Sequence, residues 1–261
     1  MTPPKTHRSE ARLVAVANQK GGVGKTTTAV NLGVCLAELR QRVLLVDLDP
    51  QANATTALGV DRRGLKLSTY DVLLADAPVD EALVRGVAGI DLLPSTLDLA
   101  GAEIELVAAF NREMRLGRAL EVVRDEYDWI LIDCPPSLGL LTVNALAAAD
   151  RVMVPIQCEY FALEGLGQLM YNVDLVRRNL NPHLEIRWIV LCMYDARTKL
   201  AEEVAAEVKK HFGERVCRSI IPRSVRLSEA PSHGMPITKY DPLSRGAVAY
   251  RLLAQEVLNG T

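Results

Sequence analysis

The stretch Val14-Ala-Val-Ala-Asn-Gln-Lys20-Gly21-Gly22-Val23-Gly24-Lys25-Thr26-Thr27-Thr28 decides the fold. A β-branched apolar run feeds a glycine-rich turn, and the turn opens directly onto a helical pattern predicted over 27–39. That is the order a phosphate-binding loop requires. Gly21, Gly22 and Gly24 let the backbone bend with its N–H groups inward, and the positive end of the following helix completes a cradle for phosphate oxygens. Lys25 is placed to reach the outer phosphates, and the Thr26 hydroxyl to ligate Mg²⁺. The loop fits G-x-x-x-x-G-K-[ST] only in part, and a second lysine, Lys20, stands at its entrance.

Composition bounds the rest. The chain has 261 residues, 49% of them hydrophobic, enough for a large core within one α/β domain. A single domain is expected over 11–261, behind a polar, proline-containing tail over 1–10 read as disordered. The formal charge of −2 hides an asymmetry: residues 1–176 carry 16 basic and 23 acidic side chains, but 177–261 carry 14 basic and 9 acidic. This local surplus of positive charge points to an anionic partner. Cys35, Cys134, Cys158, Cys192 and Cys217 lie far apart without a C-x-x-C, suggesting neither a zinc site nor a disulfide framework, so they read as buried thiols of a cytoplasmic protein. No apolar run approaches the roughly 18 residues of a membrane span, and no signal-peptide pattern opens the chain.

Beyond the loop, strands and helices alternate. Arg42-Val-Leu-Leu-Val-Asp47-Leu-Asp49-Pro50 reads as a parallel strand covered on both faces, with Asp47 and Asp49 at its carboxyl end, where open α/β sheets bind ligands. Gln51-Ala-Asn-Ala-Thr-Thr reads as a polar turn able to sense a γ-phosphate and move. Over 61–126 the pattern gives short helices at 69–75 and 79–84, a strand at 89–94 and helices at 98–109 and 112–126, all read as sheet covering and subunit contact. Trp129-Ile-Leu-Ile-Asp133 is another buried strand ending in an aspartate, here the carboxylate on the metal side of a phosphate loop. Further strands are expected at 151–156, 186–192 and 215–221, with helices at 163–179, 200–212 and 243–258. The fold class is α/β: a mainly parallel twisted sheet with helices on both faces.

Lys20–Thr27 reproduces K-G-G-V-G-K-T-T, the deviant form of the phosphate loop. With Val46-Asp-Leu-Asp-Pro-Gln51, Ile130-Leu-Ile-Asp-Cys-Pro-Pro-Ser137, Met193-Tyr-Asp-Ala-Arg-Thr198 and Ile221-Pro-Arg-Ser-Val-Arg-Leu-Ser-Glu-Ala-Pro-Ser232, the chain resembles the ParA/Soj family of chromosome- and plasmid-partitioning ATPases from about residue 12 to 257. The first three blocks are shared with relatives such as MinD; the last two narrow the match. Ala52 stands where glycine is usual, and Ser224 where asparagine is common. The resemblance implies an ATP- and Mg²⁺-dependent homodimer in which two subunits sandwich two ATP molecules and each Lys20 crosses to its partner's phosphates. It implies that Gly21, Gly22, Val23, Gly24, Lys25, Thr26 and Thr27 bind phosphate, Thr26 and Asp133 the metal, and that Asp49 positions the attacking water. Met193, Pro222 and Ser224 are expected near the adenine. It also implies a nucleoid-associated dimer whose hydrolysis a ParB-type partner stimulates.

Non-specific duplex DNA is the expected anionic partner. Arg215, Arg218, Arg223 and Arg226 fall within twelve residues that hold no acid and no aromatic, which favours phosphate contact over base stacking. Arg197, Arg245 and Arg251 are expected to join them. The alternative, a MinD-like membrane-associated ATPase, needs a C-terminal amphipathic membrane helix, and none is expected after Leu258-Asn-Gly-Thr.

Overall fold

In the computed structural model, which describes residues 11–159 and 162–260, the apolar run before the glycine loop is strand β1 (Arg12–Val16), and the loop opens onto helix α1 (Lys25–Glu38). The tail expected over 1–10 lies outside the described residues. Strand β2 (Val43–Asp47) is followed by short helices α2 (Asn53–Ala57), α3 (Thr69–Leu74) and α4 (Val79–Ala82). Strands β3 (Val84–Val87) and β4 (Ile90–Leu93) lead to α5 (Leu99–Glu105), α6 (Arg115–Glu121) and β5 (Trp129–Asp133). Then come α7 (Leu140–Ala148), β6 (Arg151–Gln157), α8 (Ala162–Asn179), β7 (Glu185–Cys192) and α9 (Lys199–Phe212). The last helices are α10 (Val225–Glu229), α11 (Ile237–Tyr240) and α12 (Arg245–Leu258).

The strands form one sheet in the order β3-β4-β2-β5-β1-β6-β7, parallel except for the antiparallel β3–β4 pair. Because β5 inserts between β1 and β2, the segments leaving β1, β2 and β5 emerge side by side at the carboxyl edge, where such sheets bind ligands. Side chains alternate between two cores. Leu13 and Ala15 pack with α3, α5, α6, α7, α8 and α9; Val14 and Val16 pack with α1, α2, α10, α11 and α12. With both faces covered, the central strands are apolar except at their ends, at Arg12, Asp47 and Asp133, which is why they read as hydrophobic runs without alternation.

Four expectations need correction. Residues 215–221 are not a strand. Cys217 and Ile221 donate their N–H groups to the Ile189 and Leu191 carbonyls, but between them Arg218 and Ser219 donate theirs to the Glu256 carboxylate at 2.6 and 2.8 Å, and that diversion prevents a continuous ladder. The helix expected over 79–84 stops at Ala82, since Val84 already pairs with Leu92 in β3. The helices expected over 98–109 and 112–126 are shorter and finish in separate 3₁₀ turns, Leu106–Ala108 and Arg124–Glu126. Helix α7 is not predicted by the sequence pattern, because Leu140–Ala148 is too uniformly apolar to show a helical period.

Candidate nucleotide site

The loop between β1 and α1 owes its shape to two glycines. Gly22 and Gly24 have φ of 72° and 94°, in the left-handed region that other residues avoid. Gly24 precedes the first turn of α1, supplies no side-chain cap, and that turn carries no acid. The helix therefore directs free N–H groups and its positive end into the loop, an environment suited to an anion. Asn18 staples the loop down. Its amide donates to the Pro155 carbonyl at 2.8 Å, and its oxygen accepts the Lys20 N–H at 3.0 Å.

The two lysines differ. Lys25 is buried and donates to the Lys20 carbonyl at 3.1 Å; burial lowers its pKa, with Asp133, Cys134 and Asp49 pulling it back up. Lys20 is 37% exposed and reaches the Glu159 carboxylate at 3.1 Å, which also lies 3.9 Å from the Arg223 guanidinium.

Asp47 and Asp133 are register partners on β2 and β5, both fully buried, and their hydrogen bonding separates them. One oxygen of Asp47 accepts the Thr55 N–H and hydroxyl at 2.8 and 2.7 Å; the other accepts the Asp49 N–H at 3.2 Å. Neither oxygen of Asp133 receives a well-formed protein hydrogen bond, although the Thr26 hydroxyl lies close enough to favour its charged form. Burial, and then Asp47, push the Asp133 carboxyl well above the usual range, opposed by the Thr26 hydroxyl and Lys25. A buried carboxylate with two orphan oxygens calls for added positive charge, so Asp133 beside Thr26 fits a divalent cation. Among the described residues no group of three or more His, Cys, Asp or Glu is gathered for a metal. The pair of Asp133 and Thr26 suits Mg²⁺, which takes few protein ligands and shares the rest with water and phosphate. Asp49 is buried too; its carboxylate accepts the Gln51 N–H at 2.9 Å, and its carbonyl accepts the Ser95 hydroxyl at 2.8 Å.

A cleft of about 300 Å³ brings Gly24 and Thr27 together with Met193, Pro222 and Ser224, the residues expected near an adenine. The end of β7 is tied to the 221–223 segment by Tyr194 N–H to Ile221 O at 3.0 Å and Arg223 N–H to Tyr194 O at 3.0 Å. Cys192, Leu227 and Tyr250 also line it, and sequence reasoning missed them. Tyr250 belongs to the apolar face of α12 and so reads as core, yet its hydroxyl lies 3.2 Å from that of Thr28 in α1. Pairing an apolar helix face with the phosphate-loop helix was the only signal for it. All five cysteines are free and buried.

The seven arginines expected to meet DNA separate into two kinds. Arg197 forms a two-point pair with Asp195, Arg226 reaches Glu229 and Asp241, Arg251 pairs with Glu38, and Arg223 approaches Glu159. Arg215 is exposed and makes no ion pair with a described acid, and the same holds for Arg218 and Arg245. The last two flank α12: Arg245 starts it, and the Arg218 N–H is held by Glu256 near its end. That separation is about 16 Å along the helix.

The polar turn expected at 51–56 contains α2, entered through Ala52 at φ 53°. Two residues beyond α2, Gly59 meets Gly234 backbone to backbone: a Cβ on Gly234 would lie 2.7 Å from the Gly59 Cα.

A glycine-shaped anion loop at the carboxyl edge of a parallel sheet, with a buried unpartnered aspartate beside it, defines a P-loop nucleotide hydrolase. The model of an AAA domain matches residues 11–186. The chain is 57% identical to the sporulation initiation inhibitor protein Soj of Bacillus subtilis, covering 94% of this chain and 98% of that one. It is 54% identical to the chromosome partitioning protein ParA of Caulobacter vibrioides, over 95% and 94%. A solved structure described as cobyrinic acid a,c-diamide synthase from Mycobacterium smegmatis, with bound ATP analogue and magnesium, superposes with a TM-score of 0.84 at 42% identity, covering 95% of each chain. The chain belongs to the ParA/Soj family of partitioning ATPases.

Proposed function

We propose that this ATPase partitions DNA through a homodimer in which two protomers enclose two ATP molecules. The dimer binds double-stranded DNA without sequence preference, and hydrolysis stimulated by a ParB-type centromere-binding partner releases it. The observation that carries this reading is the juxtaposition of the uncapped N-terminus of α1, suited to phosphate, with the unpartnered carboxylate of Asp133, suited to a cation.

The backbone N–H groups from Gly21 to Thr27 cradle the phosphates, and Lys25 recovers by phosphate contact the stabilisation that burial removed. Thr26 and Asp133 hold Mg²⁺, which when bound draws charge from the outer phosphates. Asp49 orients the attacking water. Lys20 leaves Glu159 and crosses to the partner subunit, placing positive charge where it develops during phosphoryl transfer. Adenine lies against Met193, Pro222 and Ser224. Arg218 and Arg245, free of acid partners, make the first phosphate contacts with DNA, joined by Arg223, Arg226, Arg197 and Arg251 as their ion pairs open. The protein is then cytoplasmic and nucleoid-associated. No described helix is long and apolar enough to cross a membrane.

The test is turnover measured with ATP and Mg²⁺ alone, with duplex DNA, and with DNA plus a centromere-binding partner. The two additions together should raise the rate well above basal. A rate indifferent to both sinks the partitioning role, and DNA affinity that is the same with and without ATP removes the link to the nucleotide.

A further inference from the structure

Two aspartates end adjacent strands at the same register, and only one of them has free oxygens. Asp133 faces the site with both oxygens unpartnered, whereas Asp47 has each oxygen engaged: Thr55 N–H and hydroxyl on one, Asp49 N–H on the other. Thr55 occupies the third position of α2, where a helix has an N–H without an intrahelical acceptor. The residue before α2 is Ala52, which has no side chain able to cap it, so a carboxylate arriving from strand β2 does that work. The network extends further. The Thr55 hydroxyl accepts the Ser95 N–H at 3.0 Å, the Ser95 hydroxyl donates to the Asp49 carbonyl at 2.8 Å, and the Thr69 hydroxyl donates to the Asp47 carbonyl at 2.9 Å. Asp49 is thus gripped at its N–H through Asp47 and at its carbonyl through Ser95, and both grips converge on Thr55.

We infer that Asp47 and Thr55 are positioning residues for ATP hydrolysis, fixing Asp49 and α2 as one unit, and that Asp47 takes no part in holding the metal. This rests on the assignment of Asp49 to the attacking water. Thr55→Val keeps the shape of the side chain but removes the hydroxyl shared by Asp47 and Ser95. Misplacing a water-orienting group by a fraction of an ångström to about 1 Å costs roughly tenfold or more in rate.

The experiment measures kcat, KM for ATP, the Mg²⁺ concentration for half-maximal turnover, and ATP-dependent dimerisation. Thr55→Val should lower kcat by roughly tenfold while KM, Mg²⁺ demand and dimer formation stay within about twofold, and Thr55→Ser should restore kcat to within about threefold of the parent. Asp47→Asn, which keeps one acceptor oxygen, should lower kcat without raising the Mg²⁺ requirement. If Thr55→Val fails to fold, Ser95→Ala, which removes only the hydroxyl on the Asp49 carbonyl, carries the same expectation. Parental turnover in the Thr55→Val or Ser95→Ala variant overturns the inference, as does a tenfold rise in Mg²⁺ demand for Asp47→Asn. Failure of the underlying assignment looks different: Asp49→Ala would itself turn over normally.

Discussion

At the residue scale, the two lysines of the loop should fail in different ways. Lys25→Ala removes the buried cation proposed to face the phosphates, so nucleotide binding is expected to fall roughly a hundredfold by fluorescence titration. Lys20→Ala should bind ATP within a fewfold of the parent yet not dimerise, because Lys20 contributes little within its own subunit: a half-exposed pair such as Lys20–Glu159 is worth about 0–1 kcal/mol. Normal ATP-dependent dimerisation of that variant in size-exclusion chromatography would show that Lys20 does not act across the interface. Asp49→Ala should bind ATP and accumulate as the dimer, and a variant that stays monomeric with ATP contradicts its assignment to the water. Ala52 makes a separate prediction. Its left-handed φ of 53° costs an alanine roughly 1–2 kcal/mol, so Ala52→Gly should raise stability by about 0.5–1 kcal/mol in urea unfolding, once the greater chain entropy of glycine is subtracted.

At the scale of elements, the contact between Gly59 and Gly234 ties α2 to the turn that precedes α11. Gly234→Ala sets a Cβ against backbone and adds left-handed strain, so it should destabilise the protein by about 2 kcal/mol or more, read as a lowered denaturation midpoint. A midpoint equal to the parent's would mean that the two segments part easily. Elements with a strong local signature were legible in the sequence: β1, β2 and β5 as unbroken apolar runs, and the phosphate loop as glycines in a required order. Elements decided by distant partners were not. The fate of 215–221 depends on Glu256, some forty residues later in the chain, and the capping of α2 depends on a strand that precedes it. Within the site, Lys20–Thr27 and Asp133 could be read from motifs, whereas Cys192 and Tyr250 enter through packing alone.

At the scale of the whole molecule, DNA affinity should follow the arginines that lack acid partners. Arg245→Glu and Arg218→Glu are expected to weaken all duplex sequences alike and to flatten the salt dependence by about 0.9 in log–log slope for each phosphate no longer neutralised, with ATP binding unchanged. Arg226→Glu should weaken binding less, since Arg226 already spends part of its charge on Glu229 and Asp241. Parental affinity for all three at matched salt would place the DNA surface elsewhere. The irregular 215–221 segment also governs how copies of this chain can associate. A strand at the border of a sheet offers unpaired N–H and C=O groups to any passing chain. Along β7 some of those groups are already taken, Ile189 and Leu191 by Cys217 and Ile221, while the segment's own outward N–H groups at Arg218 and Ser219 are blocked by Glu256. The opposite border is the four-residue strand β3, interrupted by Gly86 at positive φ. Both borders are poor templates for adding strands, so polymers grown by sheet extension are disfavoured, and higher assembly is expected to use helix faces and loops.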